Sequence, residues 1–295
     1  MAEDVTKLIH KYLRHEKKFP HVWCPGCGNG IVLGSLIRAI DATGFTKDEI
    51  VLVSGIGCSG RMSVYVDFNT LHTTHGRALT FATGVKLANP KLKVIVVMGD
   101  GDATAIGGNH FIHAARRNLD LTAIIINNNI YGMTGGQHSP TTPYGAWSAT
   151  AHFGHIEHAF SISEMAVTAG AAMVGRGTVY HVTLLDRLME QAIRKGGFAV
   201  VEVISHCHTQ FGSKNKKGGP VEMMRAQKEM AVRVEKAATM SPEELAGKIT
   251  IGVLVDRELP IYTEEYRRIQ VAARAALRGK PKPQPSKLKP QIFEP

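Results

Sequence analysis

Short apolar runs that end in glycine and polar residues recur along the chain. The most continuous runs are residues 94–98 and 121–126, and a helical segment at residues 108–117 separates them. A strand, a turn, a helix and a second strand form a βαβ unit, which favours a parallel sheet. Residues 51–53 and 198–204 repeat the same form of buried run. We therefore predict an α/β fold with a doubly wound, mostly parallel sheet.

The remaining elements follow from helical spacing and from turn residues. We predict helices at residues 31–40, 162–172, 184–195, 221–238 and 263–277, a helix that ends near Ala88, and strands near Val179 and at residues 251–255. These patterns divide the chain into a charged arm (1–18), a main domain (19–210), a C-terminal helical extension (211–279) and an extended Pro/Lys-rich tail (280–295).

Composition narrows the class of protein. The chain has 295 residues, 44% of them hydrophobic, and a formal net charge of +10. No apolar run approaches the ~18 residues of a membrane span, and the N-terminus lacks the apolar centre of a signal peptide. We expect a cytoplasmic protein with no membrane partner. Its basic segments attract acidic partners, but no nucleic-acid-binding motif is present, so we expect no nucleic acid partner.

Polar side chains follow two of the predicted strands. Asp100 lies between Gly99 and Gly101 after one strand, and Asn128 lies in an Asn-Asn-Asn cluster after the next. Ligands bind beyond the carboxyl ends of parallel strands, and Mg²⁺ prefers oxygen ligands from protein and phosphate. The pattern therefore suggests a magnesium diphosphate site. The alternative is an ordinary βα turn in which Asp102 caps a helix.

The four cysteines are Cys24, Cys27, Cys58 and Cys207. A C-x-x-C turn directs the first two sulfurs towards one centre, and the other two follow predicted strand ends that share one sheet edge. Four thiolates suit a 4Fe–4S cluster or a structural zinc ion. A redox C-x-x-C pair and unrelated core cysteines are the remaining alternatives.

Longer motifs carry a resemblance to a known family. Gly-Asp-Gly followed by 25 to 30 residues and Asn-Asn resembles the thiamine diphosphate fingerprint. The segment NNNIYGMTGGQ is similar to the β subunit of the 2-oxoacid:ferredoxin oxidoreductases, and most similar to the 2-oxoglutarate enzymes. This resemblance runs from about Phe19 to about Gly219. It implies a thiamine-diphosphate-binding fold, with Mg²⁺ held by Asp100, the side chain of Asn128 and the carbonyl of Ile130.

The same resemblance assigns further residues. CPGCG, then GCSGR, then a late cysteine after VEVIS is similar to the family's cluster pattern, which favours Cys24, Cys27, Cys58 and Cys207 as 4Fe–4S ligands over zinc. A cluster predicts brown protein, and zinc predicts colourless protein. The residues implied to contact thiamine diphosphate are Ile56, Gly57, Cys58, Ser59, His75, Gly101, Asp102, Gly132 and Met133.

Arg61 and Met133 are implied to line the substrate pocket. Arg61 follows the glycine-rich loop that holds Cys58, and its planar guanidinium suits the distal carboxylate of 2-oxoglutarate. Met133 lies where related enzymes differ by substrate. A surface arginine is the alternative for Arg61.

The implied activity is oxidative decarboxylation of 2-oxoglutarate to succinyl-CoA, or the reverse CO₂-fixing reaction. The implied partners are ferredoxin, coenzyme A, a 2-oxoacid substrate, and an α subunit in an α2β2 or αβ assembly that supplies a glutamate to the cofactor. Two alternatives remain: a non-redox thiamine diphosphate decarboxylase or synthase subunit with zinc or free cysteines, and a non-catalytic electron-transfer subunit.

Overall fold

The computed structural model describes residues 2–15 and 20–277. Within these residues the strands are β1 (Ile50–Ser54), β2 (Asn69–His72), β3 (Lys93–Gly99), β4 (Thr122–Asn127), β5 (Ile130–Tyr131), β6 (Gln137–His138), β7 (Met173–Thr178), β8 (Ala199–Ile204), β9 (Ala231–Arg233) and β10 (Ile249–Asp256). Eight of them form one sheet in the order β2-β1-β3-β4-β8-β7-β10-β9, and β5 and β6 form a separate hairpin.

Helices flank this sheet. They are α1 (Ala2–Tyr12), α2 (Gly28–Thr43), α3 (Met62–Tyr65), α4 (Ala78–Ala88), α5 (Asp100–Thr104), α6 (Gly108–Arg116), α7 (Ile162–Thr168), α8 (Val182–Arg194), α9 (Pro220–Met230), α10 (Val234–Ala237), α11 (Pro242–Leu245) and α12 (Tyr262–Leu277). No helix in the described part of the chain is long and apolar enough to cross a membrane.

Six neighbouring strands, from β2 to β7 in the sheet order, run parallel, and β10 is antiparallel to β7. Successive side chains of a strand point to opposite faces, so both faces carry a core. Ile95 and Val97 of β3 pack on the side of α2 and α8. Val96 and Met98 pack on the side of α4 and α6. The predicted doubly wound, mostly parallel sheet is confirmed.

One predicted helix is wrong in its middle, and helical structure resumes after it in α10 (Val234–Ala237). The run 221–238 forms α9 only to Met230, after which Ala231–Arg233 extends as β9 and pairs with β10. Val232 lies opposite Thr250 in this pairing. Both residues are β-branched, and such residues favour a strand over a helix.

A second boundary is also corrected. The helix predicted at 162–172 ends at Thr168, and Gly170 then adopts a left-handed φ of +91°. The strand predicted near Val179 is β7, which ends one residue earlier at Thr178. Two glycines and an arginine within β7 hide its strand character in the sequence. The predicted domain limits stay predictions, and the tail 280–295 lies outside the described residues.

The parallel arrangement brings the ends of β1, β3, β4 and β8 to one edge of the sheet. Ser54, Gly99, Asn127 and Ile204 are the last residues of these strands. The loops that leave this edge contain Cys58, Asp100, Asn128 and Cys207. Chain segments far apart in sequence therefore supply one site.

Candidate cofactor and thiol site

A narrow cleft lies where the loops after β1, β3 and β4 meet, and its volume is about 70 Å³. It contains all the residues that the sequence assigned to the cofactor and to magnesium. The lining residues are Asn29, Ile56, Gly57, Cys58, Ser59, His75, Gly99, Asp100, Gly101, Asp102, Ile126, Asn128, Ile130, Tyr131, Gly132, Met133 and Thr134.

Asp100 is the buried anion of this cleft, and its side chain is fixed by hydroxyl groups. Ser139 Oγ donates to Asp100 Oδ2 at 2.5 Å, and Thr141 Oγ1 donates to the same oxygen at 2.6 Å. Burial raises the pKa of Asp100, while these hydroxyls and nearby backbone amides act in the opposite direction. A buried carboxylate whose hydrogen-bond partners are neutral hydroxyl groups is suited to bind a cation.

Asp102 holds the loop after β2 against the loop after β3. Its Oδ1 accepts a hydrogen bond from the backbone amide of Gly76 at 2.5 Å and lies 2.9 Å from His75 Nδ1. Burial raises the pKa of Asp102, and the Gly76 amide and the His75 ring oppose that effect. Asp102 therefore orients the His75 ring at the edge of the cleft.

The loop after β4 is shaped by its own asparagines. Asn127 Nδ2 donates to Glu202 Oε1 at 2.9 Å, and Asn129 takes a left-handed φ of +64°. The backbone amide of Ile130 donates to Asn128 Oδ1 at 3.3 Å. Glu202 is itself fixed by Arg176 Nε at 2.9 Å. This buried network fixes the loop that presents the Asn128 side chain and the Ile130 carbonyl.

Tyr131 is a site residue that the motif contained but to which the sequence assigned no role. Its hydroxyl donates to the carbonyl of Gly101 at 3.1 Å. Burial raises the pKa of Tyr131 to about 12, and the charges of Asp100 and Asp102 act in the same direction. A Cβ on Gly101 would lie 2.3 Å from the Tyr131 ring, so glycine is required for this close approach.

The four cysteines line one cavity of about 340 Å³ beside the cleft. Burial raises the pKa of the Cys58 thiol to about 11 and also raises the pKa of Cys27, and the neighbouring cysteines add to both shifts. Cys24 is the exposed member of the set. Among the described side chains, no group of three or more His, Cys, Asp or Glu is arranged to hold a metal ion.

Two features join the thiol cavity to the cofactor cleft. Cys58 lines both spaces. A Cβ on Gly132 would lie 3.2 Å from Cys207 Sγ and 3.8 Å from Cys58 Sγ, so this glycine lets the β4 loop approach the sulfurs. Trp23 Nε1 also donates to the carbonyl of Cys58 at 2.6 Å and fixes the shared loop.

Arg61 is the assigned residue that lies apart from the rest. It ends a single turn of 3₁₀-helix, its side chain is exposed, and it is not part of the lining of either space. Within the described residues its guanidinium makes no hydrogen bond or ion pair. Its assignment to the substrate stays a prediction, as do the roles of the other site residues.

Comparison with known proteins places this geometry in a family. A family model described as "Thiamine pyrophosphate enzyme, C-terminal TPP binding domain" matches residues 55–203. The chain is 50% identical over 255 residues to 2-oxoglutarate synthase subunit KorB of Methanothermobacter thermautotrophicus, covering 86% of this chain and 89% of the relative. It is 49% identical to the same subunit of Methanocaldococcus jannaschii, covering 88% and 96%. The chain belongs to the 2-oxoglutarate synthase KorB family.

A solved structure extends the comparison. The 2-oxoglutarate:ferredoxin oxidoreductase from Magnetococcus marinus, with 2-oxoglutarate, coenzyme A and succinyl-CoA bound, matches with a TM-score of 0.80 and 30% identity. The match covers 92% of this chain and 91% of that chain. The resemblance inferred from the sequence motifs is thus confirmed, and the chain is an oxidoreductase subunit with the thiamine-diphosphate-binding fold.

Proposed function

We propose that this chain is the β subunit of a coenzyme-A-dependent 2-oxoacid:ferredoxin oxidoreductase that binds magnesium thiamine diphosphate and one 4Fe–4S cluster. Its reaction is the oxidative decarboxylation of 2-oxoglutarate to succinyl-CoA, or the reverse CO₂-fixing reaction. The observation that carries the proposal is the position of Cys58, which lines both the cofactor cleft and the four-cysteine cavity. One loop then joins the site of carbon chemistry to an electron acceptor.

The donor set of the cleft fits Mg²⁺. Asp100 supplies a buried carboxylate, Asn128 an amide oxygen and Ile130 a backbone carbonyl, and all three residues line the same cleft. These are hard oxygen ligands, and phosphate oxygens complete the shell of Mg²⁺ in such sites. When bound, thiamine diphosphate supplies the carbon nucleophile that attacks a 2-oxoacid.

His75 has a specific role in this proposal. Asp102 Oδ1 lies 2.9 Å from His75 Nδ1, so Nε2 is the ring nitrogen that remains for a contact with the cofactor. Asp102 therefore orients the His75 ring where it lines the cleft. The tilted Tyr131 ring, with its centroid 5.8 Å away, limits rotation of the imidazole.

The thiol cavity fits a cluster by the chemistry of its donors. Iron in a 4Fe–4S cluster is held by four cysteine thiolates, each on a different iron atom, and all four cysteines of the chain line this cavity. Burial raises the pKa of both Cys27 and Cys58, so the loss of their protons would be coupled to the binding of a cluster by these thiols. Zinc in the same cavity is the alternative that metal analysis distinguishes.

A partner α subunit completes the proposal. The cleft volume of about 70 Å³ is far below the ~300–1,000 Å³ typical of small-molecule sites, so this chain encloses only part of the cofactor. No glutamate occurs among the cleft residues of the described chain. Large exposed apolar side chains also concentrate in one segment after the site: Tyr144, Trp147, Phe153, Ile156 and Phe160. Such side chains are typical of a surface that another chain covers.

The relatives support the substrate assignment. Those at about 50% identity are named 2-oxoglutarate synthase subunits, and the solved neighbour has 2-oxoglutarate, coenzyme A and succinyl-CoA bound. We extend these ligands to the present chain, together with ferredoxin as the electron acceptor. The net charge of +10 suits an acidic protein partner and the phosphates of coenzyme A.

The variant Asp100→Ala tests the proposal. In the purified complex we expect it to abolish Mg²⁺-dependent binding of thiamine diphosphate, measured by calorimetric titration, because the buried anionic ligand is lost. Asp67→Ala is the matched control, because Asp67 is an exposed aspartate that pairs with Lys47 on the surface. Unchanged cofactor affinity in Asp100→Ala would refute the magnesium site and with it the proposed function.

A further inference from the structure

The four residues 139–142, which we call the strap, follow β6 and have no assigned role. Ser139, Thr141 and Thr142 are all buried, although the sequence Ser-Pro-Thr-Thr is typical of an exposed loop. The strap closes on itself, since the amide of Thr142 donates to the Ser139 carbonyl at 3.0 Å. The amide of Ser139 in turn donates to Thr142 Oγ1 at 2.8 Å.

The strap binds one oxygen of Asp100 and leaves the other. Both Ser139 Oγ and Thr141 Oγ1 donate to Oδ2, so the two lone pairs of that oxygen are engaged. None of the described side chains donates to Oδ1. The backbone amides of Asp100 and Gly101 also interact with this carboxylate, so Oδ1 lacks hydroxyl donors but is not without all donors. Because both hydroxyl groups occupy Oδ2, they favour binding of a cation through Oδ1 alone.

The strap also contacts the second ligand loop. Thr142 Oγ1 donates to the backbone carbonyl of Asn129 at 2.7 Å. Asn129 lies between Asn128 and Ile130, the two residues assigned to the metal on this loop. The strap thus joins the loop after β3 to the loop after β4 through three buried hydroxyl groups, and it fixes the spacing between the proposed ligands.

We propose that Ser139, Thr141 and Thr142 are positioning residues that hold Asp100 to one-oxygen coordination and so select Mg²⁺ over Ca²⁺. Mg²⁺ requires a near-octahedral shell with short bonds, whereas Ca²⁺ accepts larger shells in which a carboxylate binds through both oxygens. Releasing Oδ2 gives Asp100 the two-oxygen geometry that suits Ca²⁺. This inference rests on the proposed magnesium site at Asp100.

The test is a double variant, Ser139→Ala with Thr141→Val, which removes both hydroxyl groups and nearly preserves side-chain volume. The matched control is Thr122→Val, because Thr122 is also buried and its hydroxyl donates to the Ala192 carbonyl at the opposite end of β4. Mg²⁺ and Ca²⁺ are each titrated calorimetrically, with thiamine diphosphate present, into the metal-free complex of the full chain with its copurifying subunit. Thermal unfolding without metal is measured alongside.

We expect the double variant to lose about 10- to 100-fold in Mg²⁺ affinity, the range found when groups that orient metal ligands are removed. Its Ca²⁺ affinity falls less or rises, so the ratio of the two affinities moves towards Ca²⁺. Thr122→Val leaves this ratio unchanged. If the strap only stabilised the fold, the ratio of the Mg²⁺ and Ca²⁺ affinities would not change.

Two results would overturn the inference. One is an unchanged Mg²⁺ affinity in the double variant, and the other is an equal loss for both metals together with a lower unfolding temperature. Asp100→Ala in the same titration separates this failure from failure of the proposed function. If Asp100→Ala abolishes metal binding while the double variant does not change it, the strap proposal alone is wrong.

Discussion

The proposed chemistry of the cleft depends on Asp100. It is buried, it accepts two hydroxyl hydrogen bonds on one oxygen, and its pKa is raised because burial disfavours the ionised form. A free carboxylate in this position costs the fold stability, and a bound cation offsets that cost. The proposed metal site and the local cost in stability therefore have the same origin.

The raised pKa of Asp100 predicts how magnesium binding depends on pH. Mg²⁺ binds the ionised carboxylate and displaces a proton, so its affinity falls as pH decreases towards the raised pKa, above the ordinary aspartate value of ~3.9. In the metal-free chain, the contribution of Asp100 to folding stability depends on pH in the opposite direction to Mg²⁺ binding. It is present below the ordinary value and is lost as pH rises from there to the raised pKa.

Calorimetric titration of Mg²⁺ over a series from neutral to mildly acidic pH measures this effect. The pH dependence of Mg²⁺ binding to free thiamine diphosphate is the control, because the diphosphate also titrates. A protein titration whose pH dependence equals that of the free cofactor would contradict the role of Asp100.

Arg61 provides a second residue-scale prediction, which concerns substrate selection. The distal carboxylate of 2-oxoglutarate requires a cation when it is buried, and the Arg61 side chain lies on the loop that carries Cys58. A hydrogen bond to a charged group contributes roughly 1.5–3 kcal/mol. Arg61→Ile is therefore expected to lower kcat/KM for 2-oxoglutarate by ~10- to 100-fold and to spare pyruvate and 2-oxobutyrate.

The control for this change is Arg187→Ile on the exposed side of α8. Equal losses on all three 2-oxoacids would indicate that Arg61 serves the fold or the cofactor. A residue of the partner subunit would then be expected to bind the distal carboxylate of 2-oxoglutarate.

At the scale of elements, the sequence predicts the strands that are continuously apolar. It does not predict the strands that contain glycine or charged residues. The runs that became β3, β4 and β8 were predicted within one residue, because strands covered on both faces are continuously apolar. By contrast, β7 contains Gly175, Arg176 and Gly177, and the sequence placed its strand too late. The short strand β9 was hidden inside a helical pattern, because its pairing with the distant β10 determines it.

The same distinction applies to the site. Motifs at strand ends identified the residues of the cleft, because each motif is local. Ser139 and Thr141 reach Asp100 across 39 and 41 residues, and no local pattern specifies that contact. Glu202 did have a signal, since it is a lone acidic residue within the apolar run of β8. Its partners Asn127 and Arg176 come from the neighbouring strands β4 and β7, so only the sheet order reveals them.

Asn118 provides a prediction about how the C-terminal elements are joined to the sheet. It adopts a φ of +49°, its Oδ1 accepts from the Phe198 amide at 2.7 Å, and its Nδ2 donates to the Pro260 carbonyl at 3.1 Å. Asn118→Ala leaves the buried Phe198 amide without its partner, so we expect a loss of about 1–3 kcal/mol in unfolding free energy. Denaturant unfolding measures this loss.

Asn89→Ala is the matched control, because Asn89 is an exposed asparagine in a turn. We expect it to change the free energy of unfolding little. Equal effects of the two substitutions would show that the Asn118 side chain does not link β8 to the segment before α12.

At the scale of the whole molecule, we propose that this chain supplies one side of a larger active site. The small cleft, the exposed apolar segment after it and the adjoining thiol cavity all lie on loops around the carboxyl edge of the sheet. The sheet and its two cores hold these loops, and the Cys58 loop is common to both spaces. We therefore propose that carbon chemistry and electron transfer meet at this loop.

The most direct test of that claim is the response of the visible absorbance of the complex to 2-oxoglutarate. The full chain and its copurifying subunit are purified without air, and iron, sulfide, zinc and thiamine diphosphate are quantified. We predict a brown complex whose cluster absorbance bleaches when 2-oxoglutarate and coenzyme A are added in the presence of Mg²⁺, and which Asp100→Ala leaves unbleached. A colourless complex with stoichiometric zinc, or a brown complex that 2-oxoglutarate does not reduce, would contradict the account.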